Sequence, residues 1–163
     1  MEFGGKKFEF YWKIIQGPLY VLVGWNLIGF IVACFSYQTY MNIFSSLSGL
    51  VLSILIFGFI GWTAIKDYQG EIKHGAWSGA LTGVISGLIG AVLSIGMFYL
   101  VPEMMQQSLT LAVQKGAPAE TVKTFMQIGI FFNLLLAPLI SGVIGALISV
   151  IASLIAQTVK NKK

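Results

Sequence analysis

The sequence predicts an all-α integral membrane protein, with four transmembrane helices in an up-down bundle and a short outer helical hairpin between spans three and four. Its 163 residues are 56% hydrophobic and only 10% charged, whereas a soluble domain is about 25% charged. Three stretches contain no charged residue and no histidine: 14–65, 75–102 and 124–159. About 20 apolar residues cross a bilayer, so these stretches hold two, one and one spans, and the chain forms a single membrane domain.

The lysines are unevenly distributed between the two ends of these spans. Only Lys115 and Lys123 fall between spans three and four, and the other eight fall on the opposite side of a four-span protein. These are Lys6, Lys7, Lys13, Lys66, Lys73, Lys160, Lys162 and Lys163. Cytoplasmic loops carry an excess of Lys and Arg, so both termini are predicted to be cytoplasmic. The predicted topology accounts for the net charge of +4. The chain also has no arginine, whose planar guanidinium group binds phosphate through two hydrogen bonds. No nucleic-acid partner is therefore expected.

Spans one and two are predicted at 18–37 and 43–65, joined by a short uncharged turn. Proline is favoured in the first turn of a helix, where its missing N–H costs nothing, so span one is expected to begin at Pro18. Residues 1–16 combine aromatic side chains with lysines and are expected to lie on the inner membrane surface. Cys34 is expected to be buried in span one, which is interpreted as an uncleaved signal anchor rather than a lipoprotein leader.

Spans three and four are predicted at 76–101 and 128–158, with Pro138 as a kink in span four. The connection at 102–127 carries apolar residues at helical spacing on both sides of Gly116. They are Met105, Leu109, Ala112 and Val113 on one side, and Val122, Phe125 and Met126 on the other. This pattern predicts two short helices packed as an ordered outer cap, and a mobile loop is the alternative.

Small residues repeat at every fourth position in the predicted spans. Span three carries Gly75, Gly79, Gly83 and Gly87, followed by Gly90; span four carries Ser141, Gly145 and Ser149; span two carries Ser45, Gly49 and Ser53. Glycine costs a helix roughly 1 kcal/mol against alanine in water, but in lipid small residues let helices approach closely. The rows predict close packing of spans three and four. A glycine groove that faces a second copy or lines a pore is the alternative.

The chemistry of a reactive site is missing from the predicted spans. None of them carries an ionisable residue, the usual mark of intramembrane transport or catalysis. Asn26 and Asn133 could bind an ion or a polar solute, but bonding to a neighbouring helix is their expected role. Asp67, Glu71 and His74 share one loop and are expected to form a solvated helix-capping turn rather than a metal site. No catalytic residue, cofactor-binding residue or metal ligand is predicted.

Three segments carry a family resemblance. The first is a polar turn, IKDYQGEIKHGAWSGA. The second is an outer segment with a Gly-x-Pro-x-Glu turn, KGAPAETVKTF. The third is the end of the last span with its lysine tail, LISVIASLIAQTVKNKK. In this order, over about 43–163, the chain resembles an uncharacterised group of small four-span bacterial membrane proteins, a domain of unknown function. The resemblance implies a bacterial inner-membrane protein and brings no activity or site residue.

Two functional hypotheses follow from complete spans without reactive groups. The first is a non-enzymatic accessory or assembly component that acts through helix packing, with the bilayer and either itself or another membrane protein as partners. The alternative is a small channel or carrier for a small or apolar solute, lined by the glycine groove with Asn26 or Asn133. A membrane enzyme is least favoured, because hydrolysis or group transfer needs an acid, base, nucleophile or metal.

Overall fold

The computed structural model describes residues 2–3, 5–44 and 46–161, and these residues form six helices and one short pair of strands. The helices are α1 (Phe8–Phe35), α2 (Tyr37–Ile43), α3 (Ser46–Lys66), α4 (Ile72–Leu100), α5 (Pro102–Gln114) and α6 (Ala119–Asn161). The strands are β1 (Glu2–Phe3) and β2 (Lys6–Lys7), which pair antiparallel before α1. Ser45, Lys162 and Lys163, which figure in the small-residue row and the lysine pattern, lie outside the described residues.

Four of the helices in this described part, α1, α3, α4 and α6, are long and apolar enough to cross a membrane. The prediction of an all-α chain with four long apolar helices is therefore confirmed. The short β1–β2 pair is the one departure from purely helical structure among these residues, and it was not predicted.

Helix α1 begins earlier than the predicted first span. It starts at Phe8, so Pro18 lies inside the helix instead of in its first turn. A proline inside a helix removes one backbone hydrogen bond. The helix continues through it because the residues before Pro18 are needed in the core, where Tyr11, Ile14 and Ile15 are at most 3% exposed. The residues from Phe8 onwards therefore form part of the packed helix α1, and the expected place of 1–16 at the inner membrane surface stays a prediction.

The connection between α1 and α3 is a helix, α2, rather than the predicted turn. Ser36 caps it, because its side-chain oxygen accepts a hydrogen bond from the Thr39 backbone N–H at 3.3 Å. Along one face the Tyr40 ring lies 6.0 Å from both the Tyr37 ring and the Phe44 ring, measured between centroids, and both pairs are stacked. Aromatic residues at spacings of three and four thus stabilise a helical turn that an uncharged composition alone did not indicate.

Cys34 is exposed, contrary to the prediction that it is buried. Its neighbour Ala33 occupies the inward face of α1, where it packs with Met97 of α4 and with Val101, which directly follows α4. Cys34 therefore points away from the other helices.

Helix α4 packs against α1, α3 and α6 and so forms the centre of the fold. Its first turn meets the first turns of α1, where the Tyr11 and His74 rings lie 6.1 Å apart, and its last turns meet Ala33. Helices α1 and α4 therefore run in the same direction. We call the two ends of the bundle the His74 end and, where α2 lies, the Tyr40 end.

The contact between α4 and α6 depends on glycine. A Cβ added at Gly75, Gly79, Gly83 or Gly87 would overlap α6 at, respectively, Ser153, Gly145 with Ser149, Ser141 with Gly142, and Ala137 with Pro138. Because the partners descend along α6 as the glycines ascend along α4, the two helices run in opposite directions. Gly90 differs, since its nearest neighbouring atom would be Asn26 Oδ1 at 3.8 Å.

Two hydrogen bonds join α3 to α6 at the His74 end. The Ser149 hydroxyl donates to the Phe57 carbonyl oxygen at 2.8 Å, and the Ser153 hydroxyl donates to the Gly61 carbonyl oxygen at 2.9 Å. Both serines are fully buried. A Cβ added at Gly61 would overlap the Ser149 backbone, so the two helices are in close backbone contact here.

Replacing both Ser149 and Ser153 by alanine is expected to destabilise the protein by about 1–3 kcal/mol, because interhelical hydrogen bonds in membrane proteins contribute about 0.6 and at most about 1.7 kcal/mol each. Unfolding by sodium dodecyl sulfate in mixed micelles measures the change. Thr158→Ala is the matched control, because the Thr158 hydroxyl bonds only to Leu154 of its own helix. An equal effect of the two changes would contradict a stabilising role for the interhelical bonds.

The segment 102–127 forms helix α5 and the first turns of α6, which meet at a turn where Gly116 has a φ of +85°. The second helix is not short, because it continues without interruption to Asn161 and contains the buried Pro138. Most of the predicted apolar stripe is half-buried, but Val113 and Phe125 are 47% and 69% exposed. The two helices of this hairpin therefore cover each other only in part.

Candidate functional site

A cavity of about 540 Å³ lies among α1, α3, α4 and α6, and we call it the central cavity. Ligand pockets in proteins typically measure about 300–1,000 Å³, so this volume suits a small molecule. Its polar lining residues come from all four helices and are Asn26, Ser53, Ser86, Ser94, Asn133 and Ser141. Its apolar lining includes Leu22, Phe57 and Ile148. Every residue of the lining is uncharged.

Small residues of α4 create the space for this cavity. Ser86, Gly87, Gly90, Ala91 and Ser94 all line it and follow one another along a single side of the helix. Gly87 contacts α6, since an added Cβ would lie 2.8 Å from the Ala137 carbonyl oxygen, whereas Gly90 one turn later has no comparable contact. The α4 surface therefore changes from a packing face to a cavity wall between Gly87 and Gly90.

The cavity is closed toward the His74 end. Phe57 lines it, and the carbonyl of this same residue accepts the hydrogen bond from Ser149. Beyond this position the close α4–α6 and α3–α6 contacts fill the interior. The cavity thus ends inside the bundle.

Exposed apolar side chains form the rim of the cavity between α3 and α6. Leu50 and Ile54 of α3 line it while remaining 57% and 46% exposed, and Ile144 of α6 is also 46% exposed. Asn133 is an exposed lining residue on α6. The cavity therefore opens sideways between two helices, through a rim that is mostly apolar.

Asn26 lies on the α1 wall of the cavity. Its side-chain N–H donates to the Leu22 carbonyl oxygen of its own helix at 2.8 Å. The expectation that it bonds a neighbouring helix is wrong, because the preceding turn of α1 supplies an acceptor and the facing Gly90 has no side chain. Asn26 Oδ1 is directed toward that side of α4, 3.8 Å from where a Gly90 Cβ would lie.

The serine hydroxyls on α3 and α4 also bond within their own helices. Ser53 donates to Gly49 O at 2.8 Å, Ser86 to Gly83 O at 3.3 Å, and Ser94 to Gly90 O at 2.9 Å. Each hydroxyl is thereby satisfied as a donor without leaving the cavity wall.

A second cavity of about 230 Å³, the side cavity, shares Asn26, Ser53 and Ser94 with the central cavity. Trp25 and Tyr40 line its other wall. Burial raises the pKa of the Tyr40 hydroxyl above its ordinary value of 10.0, and the nearby Tyr37 hydroxyl adds to this increase. The phenol therefore stays neutral, and the surroundings of both cavities carry no charge.

His74 is buried at the opposite end of the bundle and is 3% exposed. Its Nδ1 accepts the Glu71 backbone N–H at 2.8 Å, and the Glu71 carboxylate accepts the His74 backbone N–H in return. The hydrogen bond and charge of Lys73, 2.9 Å away, hold the pKa of Glu71 below its ordinary 4.5. The predicted cap at the start of α4 is present, but its histidine lies among aromatic rings instead of solvent, with Phe10 centred 5.4 Å away.

The structure separates the predicted site residues into two groups. Gly75, Gly79, Gly83, Gly145 and Ser149 lie in the helix contacts, and Gly90, Asn26 and Asn133 line the central cavity. Gly87 and Ser141 belong to both groups. Among residues 2–3, 5–44 and 46–161 no group of three His, Cys, Asp or Glu side chains could hold a metal ion.

Sequence reasoning missed Ser86 and Ser94 as members of a site, although Ser94 follows the glycine row. Their spacing of eight residues, two helical turns, places them on one face. Such a spacing is equally typical of a packing face, so it does not indicate a cavity without the positions of the other helices.

Trp25 of α1 is half-buried. It lines the side cavity, and its ring centroid is 4.6 Å from that of Phe44. Because the side cavity shares Asn26, Ser53 and Ser94 with the central cavity, Trp25 provides an intrinsic probe of a molecule bound nearby.

Comparison of this chain with protein-family models, with curated proteins and with solved structures found no match. The resemblance to a four-span bacterial family stays a prediction. The size, lining and opening of the central cavity are therefore the basis for a functional assignment.

Proposed function

We propose that this chain is a non-enzymatic protein of the bacterial inner membrane that binds and carries a small uncharged solute in its central cavity. The observation that supports this proposal is the cavity itself, about 540 Å³ in volume and lined by amide and hydroxyl groups without any charge. Buried polar groups on an otherwise apolar wall fix the orientation of a ligand. Closure of the cavity toward the His74 end favours a carrier over an open channel.

The apolar rim favours entry of the solute from the membrane. Leu50, Ile54 and Ile144 are at least 46% exposed, and a bilayer would cover them with lipid chains. A solute already dissolved in the bilayer reaches the cavity between α3 and α6 without crossing water. The solute is therefore expected to be small, uncharged and at least partly apolar.

The contacts of the α4 glycine row are evidence against an accessory role in which this row binds a partner. Gly75, Gly79, Gly83 and Gly87 contact α6 of the same chain. They are therefore not available as a docking surface for a second copy or another membrane protein.

An accessory or assembly role is retained as the second candidate because of α5. No residue of this helix is buried, and its Leu111 and Val113 side chains are 54% and 47% exposed. Such a helix offers an apolar surface outside the main core to another membrane protein. Removal of a partner from a co-purified complex by Leu111→Ser would support this role, and an unchanged complex would argue against it.

Binding in the central cavity is tested by fluorescence of Trp25. Replacing the other tryptophans (Trp12→Phe, Trp62→Phe and Trp77→Phe) leaves Trp25 as the single emitter, and bromine quenches tryptophan at close range. With this variant in nanodiscs, we expect 10-bromodecan-1-ol to quench the fluorescence with saturation, and unbrominated decan-1-ol to restore it by competition.

The converse variant, Trp25→Phe, reports quenching of the tryptophans at the His74 end by probe dissolved in the bilayer. Its quenching should rise in proportion to probe concentration and be insensitive to decan-1-ol. The same unsaturated behaviour for Trp25 would refute binding in the cavity.

The proposed topology is an up-down arrangement of the four apolar helices with both termini in the cytoplasm, as the lysine distribution suggests. After Cys34→Ala, a single cysteine at Lys7, Lys73 or Lys162 is expected to react in intact cells only with a membrane-permeant reagent. A cysteine at Lys115 should react with an impermeant one. Labelling of position 7, 73 or 162 from outside would exclude this topology.

A further inference from the structure

We infer that the solute carried in the central cavity is a hydrogen-bond donor, an alkyl amphiphile bearing a hydroxyl group, an inference that rests on the proposed function. It comes from the hydrogen bonds that the cavity wall has already made. The question is which donors and acceptors remain for a bound molecule.

Three of the four serines of the lining donate their hydroxyl protons to the backbone. A serine hydroxyl has one O–H donor and two acceptor lone pairs. Ser53, Ser86 and Ser94 each donate to a carbonyl oxygen of their own helix, at distances of 2.8–3.3 Å. These three side chains can therefore only accept hydrogen bonds from a molecule in the cavity.

Asn26 adds an acceptor to the same wall. One of its N–H groups is committed to the Leu22 carbonyl oxygen, while Oδ1 is directed toward the space beside Gly90. We call the oxygens of Asn26, Ser53, Ser86 and Ser94 the acceptor wall. It belongs to α1, α3 and α4, while α6 contributes Asn133 and Ser141 to the polar lining.

A group that only accepts hydrogen bonds can bond to none of the four oxygens of the acceptor wall. A carboxylate also brings a charge into a lining without a counter-charge, and burial of an unpaired charge is strongly unfavourable. An ether oxygen is neutral but cannot donate. A hydroxyl can donate to any oxygen of the acceptor wall, and sites built for a hydroxyl discriminate strongly against analogues that lack it.

The rim of the cavity would bind the apolar part of the solute. Leu50, Ile54 and Ile144 surround the opening toward the bilayer and suit an alkyl chain. A molecule with its hydroxyl at the acceptor wall and its chain at the rim satisfies both surfaces. This is the chemistry of a hydroxylated membrane amphiphile.

The inference is tested by competition in nanodiscs with the variant in which Trp25 is the single tryptophan. With 10-bromodecan-1-ol bound, decan-1-ol is compared with 1-methoxydecane, which has a similar chain but no donor, at equal measured mole fractions in the bilayer. We expect the alcohol to compete at least about tenfold more effectively than the ether. The double change Ser53→Ala and Ser94→Ala should reduce this preference, because it removes two oxygens of the acceptor wall.

Ser108→Ala is the matched control, since Ser108 bonds Met104 of its own helix in α5, away from the lining. It should leave the preference unchanged. Saturable binding with equal competition by alcohol and ether would overturn the donor inference and leave the proposed function intact. Absence of saturable quenching by both 10-bromodecan-1-ol and 1-bromo-10-methoxydecane would overturn the proposed function and the inference together.

Discussion

Gly83→Ala is expected to destabilise the folded protein by about 1–3 kcal/mol, the usual effect of overpacking a close contact. The added Cβ would overlap the Ser141 carbonyl oxygen and lie 2.8 Å from the Gly142 Cα. Both are backbone atoms, so no side-chain rotation can relieve the overlap. Helices α4 and α6 would have to move apart, and the contacts on either side of Gly83 would weaken with them. Thermal unfolding in detergent measures the loss.

Gly58→Ala is the matched control for this change. It makes the same substitution inside α3, where an added Cβ meets no atom within 4 Å. Alanine is the better helix former by roughly 1 kcal/mol in water, so the Gly58 variant should be as stable as the parent or more so. Equal stability of the two variants would show that the α4–α6 contact is looser than described.

Gly90→Leu is expected to abolish saturable binding of 10-bromodecan-1-ol while leaving the protein folded. A Cβ at Gly90 has only Asn26 Oδ1 nearby, at 3.8 Å, so the leucine side chain fits but occupies the space between the α1 and α4 walls. We expect at least about tenfold weaker binding, which corresponds to about 1.4 kcal/mol. Quenching of Trp25 measures binding, and the midpoint of thermal unfolding shows that the fold is retained.

Gly24→Leu provides the comparison for this second variant. It introduces the same side chain on α1, where an added Cβ meets no atom within 4 Å and where no residue of either cavity wall is changed. Binding should be unaffected. If Gly90→Leu binds the probe as tightly as Gly24→Leu does, the probe does not occupy the central cavity.

The long apolar helices could be predicted from the sequence because charge is a severe constraint in hydrocarbon. The first and last residues of these helices could not be predicted, and α1 shows the reason. Pro18 is a favourable first residue for a helix, but burial of Tyr11 and Ile15 on α3 and α4 continues the helix past it. That burial depends on tertiary contacts that a single segment does not contain.

The central cavity could not be predicted for a related reason. Gly87 and Gly90 are alike in sequence and both line the cavity, yet an added Cβ would overlap α6 at Gly87 and would meet no atom of α6 within 4 Å at Gly90. The difference arises from where the neighbouring helices cross α4. Asn26 and Asn133 were identified individually as polar candidates, but only the packing of four helices brings them to one cavity.

The close contact between α4 and α6 limits how the protein can change shape. Backbone atoms of α6 lie against α4 from Gly79 to Gly87, so we expect these two helices to move together over that length. In the part of the chain that the structure describes, the hydrogen bonds between α3 and α6 lie toward the His74 end, at Ser149 and Ser153. We therefore expect the rim to widen by a pivot about these bonds, which would carry the first turns of α3 away from α6.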